Sequence, residues 1–315
     1  MDPRTFLQGL HHVTATVSDA QEDLDFYTRL LGLRLVKQTV NFDNNQVYHF
    51  YYGTETGTPG TIMTTFPYKG QGVRQGVNGT GQVSVTAFSV PEDALDYWED
   101  RLTDAGVSVS HLTRFGAAVL RFRDPSGLFL DLVAQVQDPR AAWIGGEIDP
   151  VYAIRGFHSV ILRMADVKET LSFLTEGLGF LKQQSEGRYT RLSLQSSLPG
   201  QLVDIEAAPE AERGLNGMGT VHHVAWRIPN DDMLAQMREH LVNTYGLRVT
   251  DIKDRKYFHS IYFRIPGGVL FEIATIPPGF DVDETPEGLG RALKLPEWEE
   301  PNRHEIESNL PQIRF

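Results

Sequence analysis

Alternating apolar and polar positions mark several short strands. In Val221-His222-His223-Val224-Ala225-Trp226-Arg227-Ile228, the residues Val224, Trp226 and Ile228 form an apolar face. Successive side chains on a strand point to opposite faces, so His223 shares the other face with Ala225 and Arg227. In Gly268-Val269-Leu270-Phe271-Glu272-Ile273 the apolar set is Val269, Phe271 and Ile273, which puts Glu272 opposite. Near the N-terminus, His11-His12-Val13-Thr14-Ala15-Thr16-Val17 repeats the His-His-Val element, with His12, Thr14 and Thr16 on one face. By the same alternation His11 and His222 face the packing side.

Helical spacing predicts four helices. They cover residues 19–31 (Leu24, Tyr27, Leu31), 91–105 (Leu95, Trp98, Leu102), 166–178 (Leu171, Leu174, Leu178) and 231–245 (Leu234, Met237, Leu241). Asp or Pro opens each and a glycine closes it, at Gly32, Gly106, Gly179 and Gly246. Those glycines recur at intervals of 74, 73 and 67 residues, and a strand-like stretch follows each, the last being Leu247-Arg248-Val249-Thr250. The predicted fold class is α+β, with four βαβββ modules forming two cupped mixed sheets. Polar, Pro/Gly-bearing residues 135–153 separate modules one and two (7–140) from modules three and four (152–276). Residues 277–315 form an acidic, Pro-rich tail, expected to strap a surface and to act in part as a lid.

The repeat allows corresponding positions to be compared. The histidine position holds His12, Val85, Ser159 and His223; the acid position holds Thr64, Asp131, Asp204 and Glu272. Only module four has both ligand types. Pairing it with module one assembles His12, His223 and Glu272 as a metal site; pairing it with module three gives a poorer set. Asp131 and Asp204 then read as ordinary strand-end carboxylates. A lone strand histidine is commonly a hydrogen-bonded core residue, but two in corresponding positions with a matching carboxylate point to a cation. Two imidazoles and one carboxylate leave about three open positions, which suits non-haem Fe(II), while catalytic Zn(II) accepts the same donors. Tyr262 shares a face with Ser260 and Arg264, one strand from Glu272, as a proton donor or a pocket wall; Arg255 and Lys256 are candidate positive charges at the mouth.

Composition narrows the partners. The 315 residues are 41% hydrophobic and 22% charged, ordinary for a chain that buries a core, and exceed a usual single domain. The net charge of −12 opposes nucleic acid and anionic membrane as partners. Zero cysteines exclude thiolate chemistry, and with no signal-like N-terminus fit a cytoplasmic protein. An assembly of identical chains is compatible with all of this.

The βαβββ repeat, Leu10-His11-His12-Val13-Thr14, Thr58-Pro59-Gly60-Thr61, Val221-His222-His223 and the run from His259 to Glu272 resemble the vicinal oxygen chelate (glyoxalase/bleomycin resistance/dioxygenase) superfamily. Within it, they are similar to hydroquinone-type, extradiol-like ring-cleaving dioxygenases. The resemblance implies Fe(II), or Mn(II), held by His12, His223 and Glu272, and a small aromatic diol cleaved with O2. It also implies His11, His222 and Tyr262 as acid–base groups and Thr14, Arg255 and His259 as substrate contacts. For His11 and His222 this conflicts with simple alternation, and a bulged strand reconciles the two. Two other readings remain: a glyoxalase-like isomerase or thiol transferase, and a non-catalytic ligand-binding or resistance protein.

Overall fold

The computed structural model describes residues 2–315. Module one contributes β1 (Leu10–Val17), β2 (Arg34–Asn41), β3 (Asn44–Gly53) and β4 (Ile62–Pro67). Module two contributes β5 (Gln82–Pro91), β6 (Ser110–Arg114), β7 (Ala117–Arg123) and β8 (Phe129–Gln135). Module three has β9 (Gly156–Met164), β10 (Leu181–Glu186), β11 (Tyr189–Ser193) and β12 (Leu202–Ala207). Module four has β13 (Thr220–Ile228), β14 (Lys253–Asp254), β15 (Phe258–Arg264) and β16 (Leu270–Pro278).

The helices are α1 (Ala20–Asp25), α2 (Leu95–Asp104), α3 (Lys168–Ser172), α4 (Asp231–Tyr245) and α5 (Arg303–Asn309). Asp19 caps α1 by accepting from the Gln21 and Glu22 amides, and α1 and α3 run on as π-helical turns at Phe26–Leu30 and Phe173–Gly177. At the C-terminus of α4, Gly246 takes a φ of 62°, where a Cβ would be strained, and so ends the helix. Leu234, Met237 and Leu241 are fully buried in a continuous core. Each contributes about 1.5–3 kcal/mol by leaving water. Among the described residues, no helix is long and apolar enough to cross a membrane.

The described residues form two eight-stranded sheets, in the orders β14-β15-β16-β13-β1-β4-β3-β2 and β10-β11-β12-β9-β5-β8-β7-β6. The first joins modules four and one through antiparallel β13 and β1; the second joins modules three and two through β9 and β5. Each sheet thus takes one module from each half of the sequence. The acid positions correspond in register: Thr64 lies opposite Thr14, Asp131 opposite Ala87, Asp204 opposite Ile161 and Glu272 opposite Ala225.

Two sequence expectations need correction. Leu247–Thr250 is not a strand; Arg238 takes the Thr250 carbonyl and the Thr250 hydroxyl takes the Tyr262 amide, so the segment meets β15 partly through side chains. Asp131 and Asp204 are not ordinary strand-end carboxylates either. Both are fully buried, and the Arg114 guanidinium joins them at 2.8 and 3.1 Å, with Arg121 on Asp131 and Arg191 on Asp204. A buried carboxylate is costly unless paired, so in the second cup arginines supply the positive charge that the buried acids require.

The tail is a strap that also plugs one end of the first cup. Phe280 and Leu289 pack with Tyr51, Tyr257 and Phe258, and the fully buried Lys37 ammonium binds Asp283 at 2.6 Å and also Glu284. Trp298 packs edge-on against Phe42, which lines the cavity of the first cup.

Candidate metal centre

β1 and β13 are the central strands of the first cup. All eight residues of β1 are buried, so it has no solvent face. Its pairing with β13 slips between Leu10 and His12 and again between Thr14 and Ala15. These irregularities locally break strict alternation and bring consecutive histidines toward one centre. β16 lies parallel to β13 and delivers Glu272 from the other side.

His12 Nε2 and His223 Nε2 each lie 2.9 Å from Glu272 Oε2 and 3.2 Å from one another. All three side chains are buried, and neither carboxylate oxygen of Glu272 has a hydrogen-bond partner. Burial lowers His223, against the pull of Glu272.

The outer histidines fix the tautomers. His11 Nε2 lies 3.2 Å from the Thr275 carbonyl, which can only accept, so that nitrogen carries the proton. His11 Nδ1 is then an acceptor for His12 Nδ1–H at 2.9 Å, and the His12 Nε2 lone pair faces Glu272. The pair His222 Nδ1 and His223 Nδ1, 2.7 Å apart, repeats the arrangement. Burial, then the neighbouring imidazole, lowers His11 to about 3, and partial enclosure with the neighbouring imidazole lowers the more exposed His222 in the same direction, so both stay neutral at neutral pH. They differ at the far nitrogen: His11 is capped by Thr275, whereas His222 lines the cavity.

Two imidazole lone pairs and a carboxylate oxygen about 3 Å apart repel one another unless a cation lies among them. Bonds of about 2.1 Å at right angles place donor atoms about 3 Å apart, so the triangle fits one face of an octahedral divalent metal. Among the described residues this is the one His/Asp/Glu cluster with metal-binding spacing. The orphaned Glu272 oxygens and the fixed tautomers are both features of a metal centre, where outer partners commonly hold the ligating rings.

A cavity of about 400 Å³ opens over the triangle, with Phe42, Phe66, Tyr68 and Phe258 among its walls. Phe258 packs on His11 and His12 at 5.0 and 5.2 Å. The Tyr262 ring stands edge-on to His223 at 5.5 Å, and its oxygen accepts from Arg255 Nε at 3.2 Å. Burial and the Glu272 charge raise the Tyr262 phenol, so it stays protonated.

Three expected contacts lie elsewhere. His259 Nδ1 binds Asp231 at 2.7 Å outside the cavity, because β15 turns Phe258 and Tyr262 inward and the intervening His259 away. Thr14 is fully buried behind the wall, accepting from Thr64 at 2.8 Å. Lys256 turns to Asp283 of the tail. Sequence reasoning passed over His49 and Tyr51, which line the cavity. Their signal was alternation along β3: Tyr48, Phe50 and Tyr52 enter the main core, which leaves His49 and Tyr51 on the cup face.

The Glyoxalase/Bleomycin resistance protein/Dioxygenase superfamily model matches residues 9–132 and 156–273. The chain belongs to this superfamily. It is 44% identical over 302 residues to a Bacillus subtilis (strain 168) protein named "Putative ring-cleaving dioxygenase MhqO", covering 96% of this chain and 95% of that one. It is 36% identical over 298 residues to the "Chlorohydroquinone/hydroquinone 1,2-dioxygenase" of Sphingobium indicum, covering 92% and 91%. A crystal structure of a dioxygenase candidate from Bacillus subtilis superimposes with a TM-score of 0.93 at 43% identity, covering 98% of each chain.

Proposed function

We propose that this member is an Fe(II)-dependent ring-cleaving dioxygenase that inserts O2 into a hydroquinone- or catechol-type ring, with Mn(II) as the alternative metal. The observation that carries the reading is the one-sided triangle of His12, His223 and Glu272 beneath an aromatic-walled cavity. The names of its relatives support the same reaction class. The metal, when bound, supplies open positions where an aromatic oxygen and O2 meet.

The chain's own residues do the rest. Aromatic walls bury the ring and exclude water, which strengthens every charge interaction within. Arg255, poised over Tyr262 at 5.2 Å, stabilises a bound phenolate and keeps the Tyr262 hydroxyl directed inward. Tyr262 holds a proton it can pass to developing negative charge. His222, neutral and cavity-facing, carries its hydrogen on the far nitrogen and donates from it, and its contact with His223 keeps the ligand ring in place. His11, capped by Thr275, orients His12 and moves no proton in this scheme.

A glyoxalase-like reaction commonly uses a second carboxylate, and the position matching Glu272 in module one is Thr64, hydrogen-bonded to Thr14. The test is anaerobic Fe(II) loading followed by O2 consumption with a panel of hydroquinones and catechols. One O2 per substrate is expected. Turnover of thioesters or hemithioacetals without O2 uptake would replace this reading. His12→Ala and His223→Ala should each abolish metal binding; a full complement of metal in His12→Ala would show that the centre does not bridge the two modules.

A further inference from the structure

β3 and β15 are the two side walls of the first cup. Each stands two strands out from the central pair, β15 beyond β16 and β3 beyond β4. Their registers correspond: Tyr262 lies opposite Glu272, and Tyr51 lies opposite Thr64, the repeat counterpart of Glu272. Tyr51 is therefore the internal counterpart of Tyr262, and both line the cavity.

The two phenols have different companions. Tyr262 accepts from the Arg255 cation. Tyr51 belongs to an uncharged chain: Tyr51 Oη and His49 Nδ1 are 3.0 Å apart, His49 Nε2 and Thr64 Oγ1 are 3.0 Å apart, and Thr64 donates to Thr14. Thr64 has one hydroxyl hydrogen, committed to Thr14, so it accepts from His49 Nε2–H. His49 Nδ1 is then the acceptor for the Tyr51 hydroxyl. With its hydrogen committed inward, the Tyr51 oxygen presents only lone pairs to the cavity. The Tyr51 ring also packs against residues other than His12 and His223. The Tyr262 ring packs on His223, whereas the ring neighbours of Tyr51 are His49, Phe280 and Tyr257.

We propose that Tyr51, held in place by His49, accepts a hydrogen bond from the substrate hydroxyl opposite the metal-bound oxygen, so that the site favours para-diols. This rests on the ring-cleaving reading above. A hydroxyl ortho to the bound oxygen stays beside the metal and Tyr262; a para hydroxyl projects to the far side of the ring. The cationic wall then receives the phenolate and the neutral wall the hydroxyl that keeps its hydrogen. Tyr51 is a binding residue and His49 a positioning residue.

The test compares hydroquinone with 4-methoxyphenol on anaerobic Fe(II)-loaded protein. Both offer one phenol oxygen to the metal, but only hydroquinone has a second hydroxyl to donate. Wild type should bind hydroquinone about tenfold tighter, the worth of one buried hydrogen bond. Tyr51→Phe should bring that ratio near one by weakening hydroquinone alone, with metal content and 4-methoxyphenol affinity unchanged. His49→Phe should behave likewise, and His49→Gln, whose amide can accept from Tyr51 and donate to Thr64, should restore part of the preference. An unchanged ratio in Tyr51→Phe, or equal weakening of both phenols, would overturn the inference and leave the ring-cleaving reading standing. Binding of neither phenol to wild type would overturn both.

Discussion

Glu272→Gln should stabilise the metal-free protein while removing its response to metal. In the metal-free fold a fully buried carboxylate faces two imidazole nitrogens at 2.9 Å without a hydrogen bond to either. An amide removes the charge and offers two N–H donors to those same nitrogens. An uncompensated buried charge costs about 3–5 kcal/mol, so relief of roughly 3 kcal/mol is expected. At roughly 2.1 cal/mol/K per residue, this chain has an unfolding entropy of about 0.66 kcal/mol/K, which makes the shift in Tm about 5 °C upward. Metal at 100 times Kd adds about 2.7 kcal/mol to wild type, or about 4 °C. Loss of a charged ligand weakens binding at least as much as the roughly 100-fold seen for outer partners, leaving a metal shift below about 1 °C. The assay is thermal unfolding at pH 8 with and without Mn(II), alongside metal analysis. A metal-free Glu272→Gln that melts below metal-free wild type, or one that keeps the metal shift, would refute the reasoning.

Three further outcomes are expected. Tyr262→Phe should retain metal and lower kcat on hydroquinone by about 10²-fold, as for loss of a proton-transfer group; unchanged kcat would reduce Tyr262 to a wall. Arg114→Leu should cost about 3–5 kcal/mol in thermal unfolding by exposing Asp131 to Asp204, yet leave metal content unchanged, since the second cup is separate; a loss of metal in the folded variant would contradict that separation. Burial, partly offset by hydrogen bonds from Thr65 and Tyr52, pushes Asp23 up to about 8. Its contribution is therefore complete below the unfolded value near 4 and is lost as pH rises to about 8, by about 1.4 kcal/mol per unit. Asp23→Asn should flatten the pH dependence of Tm over this interval; an unaltered slope would assign it to other groups.

Local periodicity carried much of this architecture. The helical stripes and their closing glycines were legible because helix contacts are made within a few residues. The fourfold recurrence identified Thr64, Asp131, Asp204 and Glu272 as corresponding positions, and the ladders align them. His259 was misplaced because a resemblance transfers a stretch, while inward or outward facing changes with every residue of a strand. Leu247–Thr250 has strand-like composition, yet its polar groups find Arg238 and β15 instead of a full ladder.

By itself, the sequence determined the repeat, the elements within each module, and which few positions could bear ligands. Only the tertiary structure decided which modules share a sheet, because partners such as β1 and β13 meet through register and packing that no local period encodes. It also decided that strand slips bring His11 and His222 against His12 and His223, that Arg114 neutralises the second cup's acids, and that His49 and Tyr51 line the same cavity as Tyr262. The physical reason is shared: facing and pairing depend on groups that are distant along the chain, and buried charge admits only arrangements in which those groups meet.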